Sequence, residues 1–316
     1  MNHHVVTGAG PVGSTIALQL ADRGEHVVLV TRSGSGPEHP LISRRRADVA
    51  QPGALDALLE GAVAVHHCVH ASRYDAATWR AELIPTEQAL LAAAGRAGAV
   101  VVFPESLYAY GQVAGPITED LPRDASGGKP GIRTELLRAR AASATATVSV
   151  AASDFLGPRV LTSHAGERLA SAILSGRTLR VVGSLDQPHS FTYVPDLAAA
   201  MIRAAADPAL HGSFLHAPTG PALTQRELAT AFAAAAGVPL PRLGAISAGM
   251  LRTVGLVHRD TRELAEMSFQ FTAPFVLDSR YSEQRLGLAP TPFDTAIRET
   301  VAWWQARRET GAALSA

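Results

Sequence analysis

The sequence predicts an α/β fold, a doubly wound parallel sheet with a smaller C-terminal lobe, and three observations predict it. Short β-branched runs alternate with Ala/Leu-rich helical stretches through the first half of the chain. A Gly-rich turn follows the first run directly, and beyond about residue 160 the alternation loosens. A length of 316 residues with 47% hydrophobic content suits a large core carrying a second lobe. We therefore divide the chain into a core over 1–160 and a mixed region over 161–316 that completes the core and forms the smaller, substrate-binding lobe.

The elements follow in order. Val5-Val6 opens the first strand, Val12 to Arg23 reads as a helix, and Val27 to Val30 as the second strand. A short helix at Leu55 to Glu60 precedes a strand at Val63 to His67, then a helix at Glu82 to Arg96 and a strand at Val100 to Phe103. A helix from about Arg133 leads to the strand Thr147 to Ala151, after which Gly157-Pro158 stops regular structure. The second half reads as a helix from about Ala165 to Leu174, a strand at Leu179 to Val182, a helix opening at Asp196, a strand at Ser213 to His216, and a helix at Gln225 to Ala236. Thr224 with Glu227 three residues later is a capping-box signature for the last of these.

The run Thr7-Gly8-Ala9-Gly10-Pro11-Val12-Gly13 fits G-x-G-x-x-G between a strand and an amphipathic helix, the fingerprint of a Rossmann dinucleotide site. Gly8 serves the tight turn, Gly10 lets backbone approach a pyrophosphate, and Gly13 lets helix and strand pack closely. Free N–H groups at the helix start, those that follow Pro11 at Val12 and Gly13, then face the phosphate charge. The end of the second strand chooses between cofactors, because an acid there binds a ribose 2′-hydroxyl and a basic group accommodates a 2′-phosphate. Here it reads Thr31-Arg32-Ser33, with no carboxylate, so NADP(H) is preferred and NAD(H) is the alternative.

Composition excludes several partners. The 28 basic and 28 acidic residues cancel, and no basic cluster is long enough to track nucleic acid. The densest, Arg44-Arg45-Arg46, reads as a solvated strand edge, although one of its arginines could lie near a cofactor phosphate. The single cysteine, Cys68, excludes a disulfide framework and fits a reducing cytoplasm, and no apolar run is long enough for a membrane. Adjacent histidines such as His3-His4 and His66-His67 point to opposite faces of a strand, so we expect no metal site.

With these motifs in place, the chain resembles a short-chain dehydrogenase/reductase of the extended, NAD(P)-dependent epimerase/dehydratase type over nearly its whole length. The resemblance is carried by Thr7 to Gly13, Asp48-Val49, His67-Cys68-Val69-His70-Ala71, Ser106-Leu107-Tyr108-Ala109-Tyr110-Gly111, Phe155-Leu156-Gly157-Pro158-Arg159, Phe191 to Leu197, and Leu286 to Pro290. It implies that Asp48 and Val49 contact the adenine, that Cys68, Val69, His70 and Ser153 lie along the cofactor, and that two copies pair through helices into a homodimer. It also implies a small-molecule substrate beside His70, Asp154, Phe155, His189 and Phe191. The sequence departs from the family's Tyr-x-x-x-Lys: Lys129 stands in the tyrosine's place, Arg133 in the lysine's, and Leu83 where an asparagine is usual.

Hydride transfer needs a group to hold the reacting oxygen and a proton donor or acceptor beside it. Ser106 is the candidate for the first. Tyr108, Tyr110 and Lys129 are candidates for the second, with Tyr110 the structural member of the Tyr-Gly pair and Lys129 in the Gly-rich stretch before the helix. Arg133 keeps its proton and can orient the ribose. His189 stands where sugar-nucleotide enzymes carry a basic residue, and a neutral imidazole grips a diphosphate poorly, so a smaller or more apolar substrate is expected. Two functions follow: an NADP(H)-dependent oxidoreductase or epimerase-like enzyme of atypical site acting on a small carbonyl or alcohol, or an NADP(H)-binding sensor or scaffold without turnover.

Overall fold

A computed structural model describes residues 2–247, 249–250, 253, 263 and 265–310. In the first half, strands β1 (His3–Thr7), β2 (Val27–Thr31), β3 (Ile42–Arg46), β4 (Ala62–His67), β5 (Val100–Ser106) and β6 (Thr147–Ala152) alternate with helices α1 (Pro11–Asp22), α2 (Asp56–Leu59), α3 (Ala76–Ala97) and α4 (Gly128–Ala141). In the second half come β7 (Asp154–Leu156), α5 (Glu167–Leu174), β8 (Leu179–Val182), β9 (Phe191–Tyr193), α6 (Val194–Ala206), β10 (Phe214–His216), α7 (Gln225–Ala236), β11 (Leu243–Ile246), α8 (Arg280–Leu286) and α9 (Phe293–Glu309). Seven strands form one parallel sheet in the order β10-β6-β5-β4-β1-β2-β3, so the chain reverses direction across the sheet between β1 and β4. In such a sheet the crevice beyond the carboxyl ends at that switch point is the ligand site.

The central strands are apolar and β-branched because both of their faces are covered. On one face Val6, Leu29, Val102 and Val150 pack with Ile16 and Leu20 of α1 and with Leu197 and Met201 of α6. On the other, Val5, Val30, Val65 and Val101 pack with Leu59 of α2 and with Leu90, Leu91 and Ala94 of α3. Helix α6 and strand β10 thus join the core from the second half of the chain. The smaller lobe has its own core, in which α5, α7 and α9 gather Leu169, Ile173, Phe232, Val301 and Trp304 around Leu179 and Val181. Its two-stranded pairs are β8 with β11 and β7 with β9, all parallel. Among the described residues no helix is long and apolar enough to cross a membrane.

Several boundaries differ from the sequence expectation, each for a local reason. Strand β5 runs through Pro104, where the sequence suggested a stop at Phe103. Val101 N–H donates to Ala146 O, so odd residues bond towards β6 and Pro104 lacks its N–H on the β4 side, where pairing has already ended at His66–Val102. Helix α3 starts six residues earlier than expected because Asp75 caps it, accepting from Thr78 N–H at 2.9 Å. The Gly127-Gly128 pair opens α4 instead of forming a loop, so Lys129 lies in the first helical turn. The capping box of α7 is formed as expected, with the Thr224 side chain accepting from Glu227 N–H and Glu227 reaching back. Arg44, Arg45 and Arg46 lie exposed on the edge strand β3, a placement that charges the sheet edge against pairing with other chains.

Candidate active site

The Gly-rich turn connects β1 to α1 with each glycine in a separate physical role. Gly8 has φ +90°, and a Cβ there would stand 2.8 Å from the Cys68 carbonyl oxygen. A Cβ on Gly13 would run into the Gly8 carbonyl oxygen, so helix and strand could not close. Gly10 has open space around its Cβ position and caps α1, with Ser14 N–H making the first intrahelical bond to its carbonyl. The amides of Val12 and Gly13 precede that bond, and Pro11 stands at the first helical position where no N–H is needed. These residues fit a dinucleotide pyrophosphate. Ser153, just after β6 and expected along the cofactor, has a buried Oγ with no hydrogen-bond partner among the described residues, and its N–H donates to Thr192 Oγ1 at 3.0 Å.

At the end of β2, Thr31 donates its hydroxyl to Ser35 O at 3.1 Å, and the Ser33 and Ser35 hydroxyls pair at 2.7 Å. Arg32 is exposed beside them. Arg46 pairs with Thr31 in register, and its Cβ approaches Gly34, so a second guanidinium stem borders the same turn. Glu82 of α3 lies within electrostatic reach of Arg32, held below the usual carboxylate range chiefly by the Ser72 hydroxyl and amide. The absence of any nearby carboxylate expected from sequence is thereby corrected, since folding brings one across from α3. Asp48 accepts from Ala50 N–H at 3.1 Å, and Val49 is buried in the core behind it. Cys68 and Val69 are half-buried against the turn, and burial pushes the Cys68 thiol up, so it stays protonated.

Beyond β4 and β5 lies an aromatic platform. The Trp79 indole is fully buried and touches four groups: His70 edge-on at 4.8 Å, Tyr74 edge-on at 5.5 Å, Tyr108 stacked at 6.1 Å, and the Arg133 guanidinium at 4.8 Å. The Tyr74 and Tyr108 hydroxyls lie 2.7 Å apart. Burial pushes Tyr108 up to about 12, so at neutral pH it is a hydrogen-bond donor and not a base. Ser106, two residues before Tyr108, ends β5 half-buried, its Oγ 3.3 Å from Glu105 Oε1. Tyr110 has the structural role expected of it, bonding His216 Nε2 at 2.8 Å away from the platform.

Lys129 is placed differently from the sequence expectation of a residue in a Gly-rich loop. Its side chain is fully buried, with Nζ 2.6 Å from Glu263 Oε2, 2.5 Å from Glu266 Oε2 and 3.1 Å from Glu263 O. An ammonium has three N–H groups, and all three have acceptors here. Its charge also lies 4.7 Å over the Tyr74 ring. Arg133, one helical turn on, is turned to Trp79 and to Glu105, whose Oε1 is 3.4 Å from Arg133 Nε.

On the lobe side, Asp154 starts β7 and accepts from His189 Nε2 at 2.7 Å, while His189 Nδ1 faces Gln270 O at 3.0 Å. Burial opposes the Asp154 charge, but His164, His189 and Arg168 hold it below the usual carboxylate range. His189 is buried between Phe271 and Phe275, and Phe191, Met267 and Phe271 are buried as well. Phe155 is half-buried at the seam. Beside this pair, α5 and β8 border a groove of roughly 870 Å³ lined by His164, Arg168, Arg177 and Arg180. Sequence reasoning missed Tyr74, Trp79, Glu263, Glu266 and these arginines, none of which belongs to a motif. Among the described residues no three His, Cys, Asp or Glu side chains stand close enough to hold a metal.

Two buried histidines behind the site make stability sensitive to acid. Burial lowers His66 from 6.5 to about 3 and His67 to about 4. Their folded pKa lies below the unfolded value, so their contribution is complete above about pH 6.5 and is lost as pH falls towards 4 and 3. At pH 5 each should cost about 2 kcal/mol, and carboxylates hardly titrate in that window. Urea unfolding at pH 7.5 and pH 5 measures it; equal midpoints would show that the rings are not held neutral.

Parallel order, Gly-rich turn and switch-point crevice together define a Rossmann protein built to take a dinucleotide. The chain belongs to the NAD dependent epimerase/dehydratase family, whose model matches residues 4–214. Among solved structures it is similar to DesIV, a dTDP-glucose 4,6-dehydratase from Streptomyces venezuelae crystallised with NAD and DAU, at TM-score 0.78 and 20% identity over 99% of this chain and 100% of that one. It is also similar to UDP-glucuronic acid 4-epimerase from Bacillus cereus in complex with NAD, at TM-score 0.76 and 19% identity over 100% of both chains. A third is MoeE5 in complex with UDP-glucose and NAD, at TM-score 0.73 and 22% identity over 98% of this chain and 100% of that one. No curated protein matches the chain.

Proposed function

We propose that the protein is a nicotinamide-dinucleotide-dependent oxidoreductase or epimerase-like enzyme acting on a carbonyl or alcohol. The observation that carries this reading is the Gly-rich turn, with open space at Gly10 and the first amides of α1 beside it, at the same end of the sheet as Ser106 and Tyr108. When bound, the nicotinamide supplies or accepts a hydride. Ser106 would hold the reacting oxygen and Arg133 would face the ribose, while Asp48 and Val49 would border the adenine. The reading keeps the homodimer expected from the family resemblance and the cytoplasmic location expected from the single cysteine.

NADP(H) is our preferred cofactor, since Thr31 replaces the acid that would grip a 2′-hydroxyl and Arg32 and Arg46 border the turn. The similar structures named above hold NAD, which makes this preference a direct point of test. NADPH should bind more tightly than NADH by roughly 1.5 kcal/mol or more, the worth of a charge-assisted contact. Fluorescence titration of both cofactors measures it, and Arg32→Ala should erase the difference while leaving NADH affinity nearly unchanged. Equal affinities in the unaltered chain would reject the assignment.

A phosphate-bearing substrate is a second reading of the same site, favoured by the groove with Arg168, Arg177 and Arg180. A guanidinium set grips a diphosphate where His189, engaged by Asp154, does not. Turnover of UDP-glucose, UDP-glucuronic acid and dTDP-glucose against simple ketones and aldehydes separates the two readings. A chain that binds cofactor and turns over none of them is a sensor or scaffold.

A further inference from the structure

We propose that Tyr74 and Tyr108 form a two-hydroxyl proton relay, in which Tyr108 donates to the substrate oxygen and Tyr74 returns the proton from solvent. The inference rests on the redox reading above and deepens it, by naming the proton path and a relay residue outside every motif.

The geometry supports the assignment step by step. Tyr108 follows Ser106 by two residues in the short 3-10 turn Leu107–Tyr110, so the oxygen-holding group and the donor share one rigid piece of backbone. That turn is anchored because the Ser106 side chain caps it and Gly111 N–H bonds Tyr108 O at 3.0 Å. The Tyr108 ring is half-buried and nearly parallel to Trp79, with an interplanar angle of 3°. Tyr74, on the loop before α3, is 41% exposed, yet its hydroxyl lies 2.7 Å from that of Tyr108. One residue is half-buried and its hydrogen-bonded neighbour is the more exposed of the two, which is the arrangement a relay needs. Lys129 occupies the aligned position of the family's tyrosine but has its three donors engaged, so it has none for the substrate.

In carbonyl reduction the carbon gains the hydride and the oxygen gains a proton. Breaking the Tyr108 O–H bond supplies that proton to a developing alkoxide, which is more basic than a phenolate, so the transfer is downhill. Tyr74 then gives its own proton to the Tyr108 phenolate and takes one from water, which leaves both tyrosines neutral and consumes one solvent proton per turnover. A pair that stays protonated at neutral pH suits donation better than abstraction, so the site is built for the reductive half of a reaction.

The test uses the full chain with NADPH and phenanthrenequinone as the probe carbonyl, together with NMR of carbon-labelled tyrosine. Tyr108→Phe should lower kcat about 10²-fold with cofactor Kd unchanged. Tyr74→Phe should lower it about tenfold, raise the solvent isotope effect, and be rescued by added imidazole as an external proton carrier. In the NMR arm, Tyr74→Phe should shift the Tyr108 resonance, a readout that needs no turnover. Wild-type kcat and isotope effect in Tyr74→Phe, or an unmoved Tyr108 resonance, overturns the relay alone. Absence of turnover by the unaltered chain with this probe and with the sugar nucleotides overturns the redox reading and the relay with it.

Discussion

Arg140→Met is expected to cost about 3–5 kcal/mol of stability, the loss typical of removing one partner from a buried ion pair. The Arg140 side chain is buried beneath the site and bonds both Glu87 oxygens at 2.7 and 2.8 Å and Glu105 Oε2 at 2.7 Å. Its guanidinium also lies 3.9 Å from the Phe103 ring. Both glutamates are themselves buried, so methionine would fill the volume but leave Glu87 without the cation that offsets its desolvation and Glu105 with the longer 3.4 Å approach of Arg133. Against a total stability of roughly 5–15 kcal/mol, this is a large fraction. Thermal unfolding should fall by roughly 10 °C. Arg140→Lys keeps the charge but loses the two-pronged contact with Glu87 and should cost less. A melting temperature within a degree or two of the unaltered protein would mean that the carboxylates find protons or water at no cost.

Ser106→Ala is expected to lower kcat by about 10²–10³-fold, the usual effect of removing a preorganised donor from a developing oxyanion. Glu105 sets this group: its Oε1 accepts from Ser106 N–H at 2.7 Å and its Oε2 is fixed by Arg140. The Ser106 hydroxyl accepts from Tyr108 N–H and donates at a long 3.3 Å to Glu105, so its proton can turn to a substrate oxygen. Because the alanine variant keeps the backbone bond to Glu105, NADPH affinity and melting temperature should hardly change. Steady-state kinetics with cofactor titration tells a loss of chemistry from a loss of binding. A normal kcat would move the oxygen-holding role to Tyr108 or Tyr74.

The core and the cofactor end of the site were legible in the sequence because their determinants are local. A β-branched run, a Gly-rich turn and an amphipathic helix within about twenty residues specify a βαβ unit whichever partners it later meets, and steric roles at Gly8 and Gly13 depend on the turn itself. The Thr224–Glu227 capping box is local in the same way. Arg32 was legible as a basic strand end, but Glu82 in its neighbourhood was not, because the carboxylate comes from another helix.

Tertiary structure alone decided the reactive end. Tyr74 meets Tyr108 across 34 positions, His189 meets Asp154 across 35, and Lys129 meets Glu263 across 134. No periodicity or spacing encodes such pairs; they form because parallel strands deliver their carboxyl ends to one edge and the lobe folds over it. Lys129 is the sharpest case: its sequence position made it a candidate acid, and the two glutamates brought from the far end of the chain engage it as an ion pair. A side chain's chemistry is set by which charges and hydroxyls surround it, and for residues in contact across long separations that is determined by the packing of the whole chain.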